Sequence, residues 1–311
     1  MWLPHKWSRL FFRLTVMSSM SKIKLVLLPL LIFACSAMAG IREDIEQFIA
    51  VQKADIGLAV VLPDGSRLGH NNGKRYQLAS VMKLIQAMAL ADIMEREDIP
   101  LTALVSITNA DLQEDTYSPL RDKGIGNRCE MPIASLLDYS LQFSDNNACD
   151  ILFRLIGGTE AVEAYLNREH IDSCQIHLTE KEMHLNPEQS ESNWITPDAA
   201  VEITGLLLKE SSRRPLFAHI VRTITQCETG LSRLPAPIER STDAIGHKTG
   251  TGFIDSLGRI TATNDIGFVQ LQDGRTYTIA VFVKNSTLPP AETEAIIAKI
   301  SEIVYKYIRK Q

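Results

Sequence analysis

From Gln77 to Ala91 the chain reads QLASVMKLIQAMALA, apolar on every face a helix could present, with one charge, Lys83. A helix that is hydrophobic all round is buried on all sides, so this pattern predicts a central helix with a lysine inside it. Elsewhere the patterns are one-sided. IREDIEQFIAVQ (41–52) sets Ile41, Ile45, Phe48 and Ile49 on one helical face. IGLAVVL followed by Pro63-Asp64-Gly65 reads as a strand ending in a turn, with a partner strand beyond it. Helical signals then dominate from about Ser80 to Thr225. PIASLLDYSLQF is one segment, and NNACDILFRLIGG is another, closing on paired glycines as helices do. Thr196-Pro197 opens a third, a capping hydroxyl followed by proline in the first turn. After Gly246 strand patterns return: the one that Lys248-Thr249-Gly250 enters, then RITATNDIGFVQL and TYTIAVFVKN, joined through Gln272-Asp273-Gly274. An amphipathic helix over 291–309 closes the chain.

Strands at both chain ends and helices between them predict an α+β fold. Its core would be an antiparallel five-stranded sheet built from both ends and flanked by the terminal helices, with an all-helical lobe beside it. A site belongs in the cleft where such lobes meet.

The N-terminus stands apart. KIKLVLLPLLIFACSAMAG, from Lys22, has the basic start, apolar run and small-residue end of a secretory leader, with Ala37-Met38-Ala39 as its cleavage site. The expected domains are therefore a signal peptide, 1–39, and a single catalytic domain, 40–311, with an α/β lobe about 40–75 and 226–311 and a helical lobe about 76–225. Met17 and Met20 are alternative starts, and Ile32-Phe33-Ala34-Cys35 resembles a lipoprotein processing site, the alternative that would anchor the protein at Cys35. The expected location is the periplasm or the medium, with no membrane association after processing.

Composition removes several function classes. Residues 1–39 hold five Lys/Arg and no acid, so the remainder carries 27 basic and 37 acidic residues, a net charge of −10. Such a chain is a poor partner for nucleic acid or anionic membranes. Cys129, Cys149, Cys174 and Cys227 match no metal or redox spacing. An oxidising compartment permits a disulfide among them, and buried free thiols are the alternative. The histidines form no HExxH pattern, so neither a metal site nor a cofactor is expected.

The chemistry begins at Lys83. A lone lysine in an apolar helix snorkels or pairs with an acid, but Ser80 precedes it by three residues, on the same helical face. Burying an amine lowers its proton affinity, and a base beside a serine makes a nucleophile. Ser80 would also sit near a helix start, where the dipole favours developing negative charge. Ser-x-x-Lys alone is weak, since Ser19-Met20-Ser21-Lys22 matches it too. The set is specific: Ser144-Asp145-Asn146 follows 64 residues after Ser80, and Lys248-Thr249-Gly250 lies 104 beyond that. The first element opens a helix, the second sits between helices and the third enters a strand.

That order resembles class A serine β-lactamases and penicillin-binding proteins, and over nearly its whole mature length the chain looks like the former, on a β-lactamase/transpeptidase-like fold. His247-Lys248-Thr249-Gly250-Thr251-Gly252 and Ser144-Asp145-Asn146-Asn147-Ala148-Cys149-Asp150 look like the cephalosporin-hydrolysing, extended-spectrum subgroup. The resemblance implies Ser80 as nucleophile, Lys83 as its base or relay, and Ser144 as proton donor to the departing nitrogen. It implies backbone N–H groups of Ser80 and Thr251 as the oxyanion site and Asn146 for the acylamino side chain. Lys248, Thr249, Gly250 and Thr251 would hold the substrate carboxylate, and Tyr117 would bring an aromatic to the rim. Arg233 would assist the carboxylate, with Arg259 its rival.

Hydrolysis also needs a base for the deacylating water, and TEKEMHLNPEQSESNWITP (179–197) offers two glutamates. Glu180 is preferred, placing His184 near the water; Glu182, which satisfies a literal Glu-x-x-Leu-Asn, is the alternative. Asp150 departs from the common asparagine, and an ionised aspartate cannot donate hydrogen bonds, so the glutamate loop is expected to be braced differently. The expected function is hydrolysis of the β-lactam ring through an acyl-serine, conferring antibiotic resistance, by a monomer whose partner is the small-molecule substrate. A peptidoglycan D,D-peptidase is the alternative. A sensor acylated once and a metal-dependent lactamase rank below both.

Overall fold

The computed structural model describes residues 39–311 except 125 and 127. The expected leader falls outside the described residues, Ala39 excepted. Helix α1 (39–49) carries the expected apolar stripe, with Ile41, Ile45 and Ile49 buried and Phe48 half-buried. It belongs to one compact unit ending at Ala50, and everything that follows belongs to a second, Val51–Gln311.

The second unit opens with β1 (Asp55–Val61) and β2 (Arg67–His70). Gly65 adopts φ +83° in the connecting turn, where Asp64 accepts hydrogen bonds from the Ser66 amide and hydroxyl. The short β3 (Tyr76–Gln77) leads through a 3₁₀ turn (Ala79–Val81) into α2 (Met82–Arg96). This is the all-apolar segment, and all of it but Ile93, Glu95 and Arg96 is buried. Next come β4 (Leu104–Thr108), α3 (Pro119–Asp122), β5 (Arg128–Pro132), α4 (Ile133–Gln142), α5 (Asn146–Ile156) and α6 (Thr159–Arg168). Helix α5 is capped by the Asp145 carboxylate at its start and by Gly157, φ +89°, at its end, as its glycine pair announces. Then follow β6 (Cys174–Gln175), α7 (Glu180–Leu185), β7 (Trp194–Ile195), α8 (Pro197–Ser211) and α9 (Pro215–Thr225). Thr196 caps α8 as its sequence predicts. The chain ends with β8 (Ala244–Thr251), β9 (Thr263–Gln270), β10 (Thr276–Lys284) and α10 (Pro290–Arg309).

The main sheet has five antiparallel strands in the order β2-β1-β10-β9-β8, so strands from both chain ends meet at the β1–β10 pair. Tyr277–Val283 of β10 is buried throughout, because α10 packs on β9 and β10 while α8 packs against β1, β10 and β9. One cover is thus the C-terminal helix expected, and α8, a helix from the middle of the chain, packs on the sheet as well. The expected all-helical lobe also carries two short antiparallel ribbons, β4-β5 and β3-β7-β6. Strands of two residues leave no period-2 pattern to read.

Two features bring β8 against the turn that precedes α2. A Cβ on Gly250 would stand 2.5 Å from the Leu78 carbonyl oxygen, so only glycine lets the strand approach this closely. From β9, Asn264 Nδ2 donates to the carbonyls of Gln77 (2.7 Å) and Leu78 (3.3 Å), tying the same turn to the sheet. Gly250→Ala should therefore force the two backbones apart. The expected cost is about 1–3 kcal/mol, measured as a lower urea midpoint at unchanged slope.

Candidate active site

Ser80 sits in the 3₁₀ turn that runs straight into α2. Ala79, immediately before it, adopts φ +44°, a left-handed conformation costly for any residue with a Cβ. One turn on, Lys83 is fully buried, and its ammonium is ringed by oxygens from three other segments. Nζ donates to Ser80 Oγ (3.0 Å), to the Ser144 carbonyl (2.7 Å) and to Asn146 Oδ1 (2.6 Å), and lies 2.9 Å from Glu180 Oε1. The lysine does not snorkel; it pairs with an acid, Glu180, and holds Ser80 as well. Ser80 Oγ in turn donates to Glu180 Oε1 at 3.0 Å.

Ser144 stands between α4 and α5 at φ +58°. Its neighbour Asp145 is buried and accepts from Ala148 N (2.8 Å), Leu120 N (2.6 Å) and the Ser118 hydroxyl (3.0 Å). Burial pushes its carboxyl up, against these three donors. The clasp holds the 116–120 segment to the start of α5, where Thr116 Oγ1 accepts from Asn146 Nδ2 at 2.8 Å. Tyr117, on the same segment, is 58% exposed at the cleft rim.

The two glutamates of α7 have different work. Glu182 Oε2 accepts from the Thr179 amide (2.8 Å) and hydroxyl (2.9 Å), and Thr179 Oγ1 accepts from Glu182 N. This is a capping box, and it turns Glu182 away from Ser80. Glu180 is the one that reaches the serine, 8% exposed. The spacing Thr179-x-x-Glu182 is a capping signature, the sequence signal that separates the two acids. Asp150 braces the loop from α5 by accepting from the Glu180 and Lys181 amides, 2.9 Å each. Burial, then the nearby Glu180 charge, push its carboxyl up to about 7. Asn193, invisible as a site residue in the sequence, holds the other side. Its Oδ1 accepts from His177 N and Leu178 N, and its carbonyl accepts from Leu78 N, joining the α7 loop to the Ser80 turn.

The opposite wall is β8. Lys248 is fully buried and donates to Ser144 Oγ (2.9 Å) and the Thr249 carbonyl. Burial, then the Lys83 charge, lower its ammonium to about 8. Thr249 and Thr251 face the cleft, whereas Lys248 stands behind Ser144. Arg233 joins them: Nη2 donates to Thr251 Oγ1 (2.7 Å), Nη1 to the Gly250 and Asn264 carbonyls, and Glu294 pairs with it at 2.9 Å. Arg259, its rival, is held by Asp255 on the loop after β8. Two cavities open on Ser80. One, about 110 Å³, is bounded by Glu180, Met183, His184 and Phe253, well above the roughly 15 Å³ needed for a water. The other, about 250 Å³, runs along Tyr117, Ser144, Thr229, Thr249 and Arg233.

The raised Asp150 carboxyl gives a pH test. A group whose folded pKa, about 7, exceeds its ordinary 3.8 stabilises fully below 3.8, and that contribution is lost as pH rises through 7. The stability difference between the wild type and Asp150→Asn, from urea unfolding, should thus shrink from acid to neutral pH.

Residues 40–308 match the β-lactamase enzyme family. The chain is 36% identical to a β-lactamase of Bacteroides uniformis, over 90% of this chain and 97% of that one. It is 33% identical to the extended-spectrum β-lactamase PER-1 of Pseudomonas aeruginosa, over 90% and 91%. The solved structure of the extended-spectrum β-lactamase TLA-3 superposes with a TM-score of 0.84 at 32% identity, covering 87% of this chain and 98% of that one. A class A β-lactamase from Bacteroides cellulosilyticus superposes at 0.81 with 34% identity, over 87% and 98%. With the serine, both lysines and a glutamate converging on one cleft, these likenesses place the chain in the β-lactamase family, among its class A serine enzymes.

Proposed function

We propose that this β-lactam hydrolase works through an acyl-enzyme on Ser80, which Glu180 then clears. The observation that carries the reading is the Glu180 carboxylate 3.0 Å from Ser80 Oγ and 2.9 Å from Lys83 Nζ. Ser80 donates to Glu180 while Lys83 donates to Ser80, so the serine proton has an acceptor in place, directly or through the lysine. As Oγ attacks the lactam carbonyl, the N–H groups of Ser80 and Thr251 receive the developing oxyanion. The departing nitrogen takes its proton from Ser144, whose hydroxyl is supplied by Lys248 at 2.9 Å. Water in the cavity beside Glu180 and His184 then attacks the ester, with Glu180 as its base.

Thr249 and Thr251, backed by the Lys248 charge and by Arg233, hold the substrate carboxylate. Gly250 contributes backbone that no side chain obstructs. Asn146 and the Tyr117 rim receive the acylamino side chain. The named extended-spectrum relatives support cephalosporins among the substrates. The family match beginning at residue 40 supports 40–311 as the mature catalytic domain, released to the periplasm or medium after loss of residues 1–39. A D,D-peptidase that stalls as the acyl-enzyme is disfavoured by the same Glu180 contact.

Intact-mass analysis after mixing with a cephalosporin tests the assignment. Ser80→Ala should show no adduct. Glu180→Gln should accumulate the acyl-enzyme with kcat lower by about 10²–10⁴-fold, whereas Glu182→Gln should keep turning over with its cap retained, since glutamine fills the same capping position. An adduct trapped by Glu182→Gln and not by Glu180→Gln would reverse the two roles.

A further inference from the structure

Behind the β8 wall lies a cluster the hydrolytic chemistry does not use. Cys227, His247 and Asp265 are all buried, 2%, 2% and 0% exposed. His247 Nδ1 lies 2.9 and 3.1 Å from the two Asp265 oxygens, and Leu234 N also donates to that carboxylate. The imidazole is near enough to the Cys227 thiol for its charge to act on it. Cys227 Sγ is 3.4 Å from Thr229 Oγ1, and Thr229 Oγ1 is 2.7 Å from Thr249 Oγ1. A continuous chain thus runs from the buried thiol to a threonine on the cleft wall. In both links either atom can be the donor, so the hydroxyls can point either way.

We propose that Cys227 is a positioning residue for Thr249, its proton setting whether that hydroxyl donates into the cleft. With the thiol protonated, S–H donates to a Thr229 oxygen, Thr229 donates to Thr249, and Thr249 O–H is free to donate to a substrate carboxylate. With the thiolate, Thr229 O–H turns to sulfur and Thr249 O–H turns to Thr229. The cleft then loses a donor and meets a lone pair. The proton leaves to solvent, and no other bond changes.

The switch falls in the working pH range. Burial raises the thiol, but His247 and the Lys248 charge outweigh it and bring it to about 7. Burial opposes the charge on His247, and Asp265 and Cys227 overcome this, lifting it to about 10, so the imidazolium persists throughout. The groups facing the thiol are His247 and Lys248 of β8, Asp265 of β9 behind the imidazole, and exposed Glu228 next in the chain. Lys83 and Glu180 act one step further off, through Lys248. Serine at 227 keeps the hydrogen bonds and does not ionise.

The inference rests on the reading of Thr249 as a carboxylate-binding group, and two measurements separate their failures. First, the ultraviolet absorbance of thiolate is titrated in the full chain and in Cys227→Ser. The difference should show one ionisation near pH 7, since burial holds the Cys149 and Cys174 thiols well above their ordinary value. No ionisation in that difference below about pH 9 overturns the proposal. Second, kcat and KM for a cephalosporin are followed against pH. The wild-type KM should match that of Cys227→Ser in acid and exceed it by about tenfold above pH 7, the size of one hydrogen bond to a charged group, with kcat changed less. A KM ratio flat with pH, or parallel losses in kcat and KM, overturns the proposal. A KM indifferent to Thr249→Val would instead fall on the reading of the carboxylate site.

Discussion

One buried ammonium organises this molecule. Lys83 has no exposed surface, and an uncompensated charge there would cost several kcal/mol. Its compensation comes from four places in the chain: the hydroxyl one turn back, the Ser144 carbonyl, the Asn146 amide and the Glu180 carboxylate. The α4–α5 junction, the start of α5 and the start of α7 must therefore all converge on one helix. The costly backbone at Ala79 and Ser144 sits on either side of that convergence, where strain is maintained because the surrounding contacts over-determine it.

The rest of the scaffold positions this centre. Gly250 and Asn264 bring the sheet to the Ser80 turn, Asn193 links that turn to the α7 loop, and Asp150 fixes the loop from α5. Asp150 does with accepting oxygens what an asparagine would do with donors and acceptors together. It works only because it faces two backbone amides at a helix start. Its partner across the loop is the Glu180 carboxylate, so two acids share a small volume, and the structure answers by raising one of them.

Much of this was legible in the sequence, where one physical requirement dictated one residue type. The helix apolar on all faces became the buried α2. The glycine-closed and threonine-capped segments became α5 and α8, and strands at both chain ends became one sheet. The three polar motifs met at one cleft because each lies at the end of an element, where a side chain can leave its own helix or strand. The illegible parts depended on partners distant in the chain. Nothing local marks Asn193 as a brace or α8 as a cover for the sheet, and the two-residue strands are too short for a period. The burial of Lys248 behind Ser144 emerges only when β8 is placed beside the α4–α5 junction. The choice between Glu180 and Glu182 was available locally, in the capping box.

The central claim is that this cleft completes a hydrolytic cycle instead of stopping at the acyl-serine. The most direct test is to mix residues 40–311 with a large excess of a chromogenic cephalosporin and count product per enzyme molecule. Many equivalents released at a steady rate is the predicted result, because a carboxylate stands beside the acylated serine to activate water. A single stoichiometric burst followed by silence would contradict the account, showing that Ser80 and Lys83 react while Glu180 does not clear the ester.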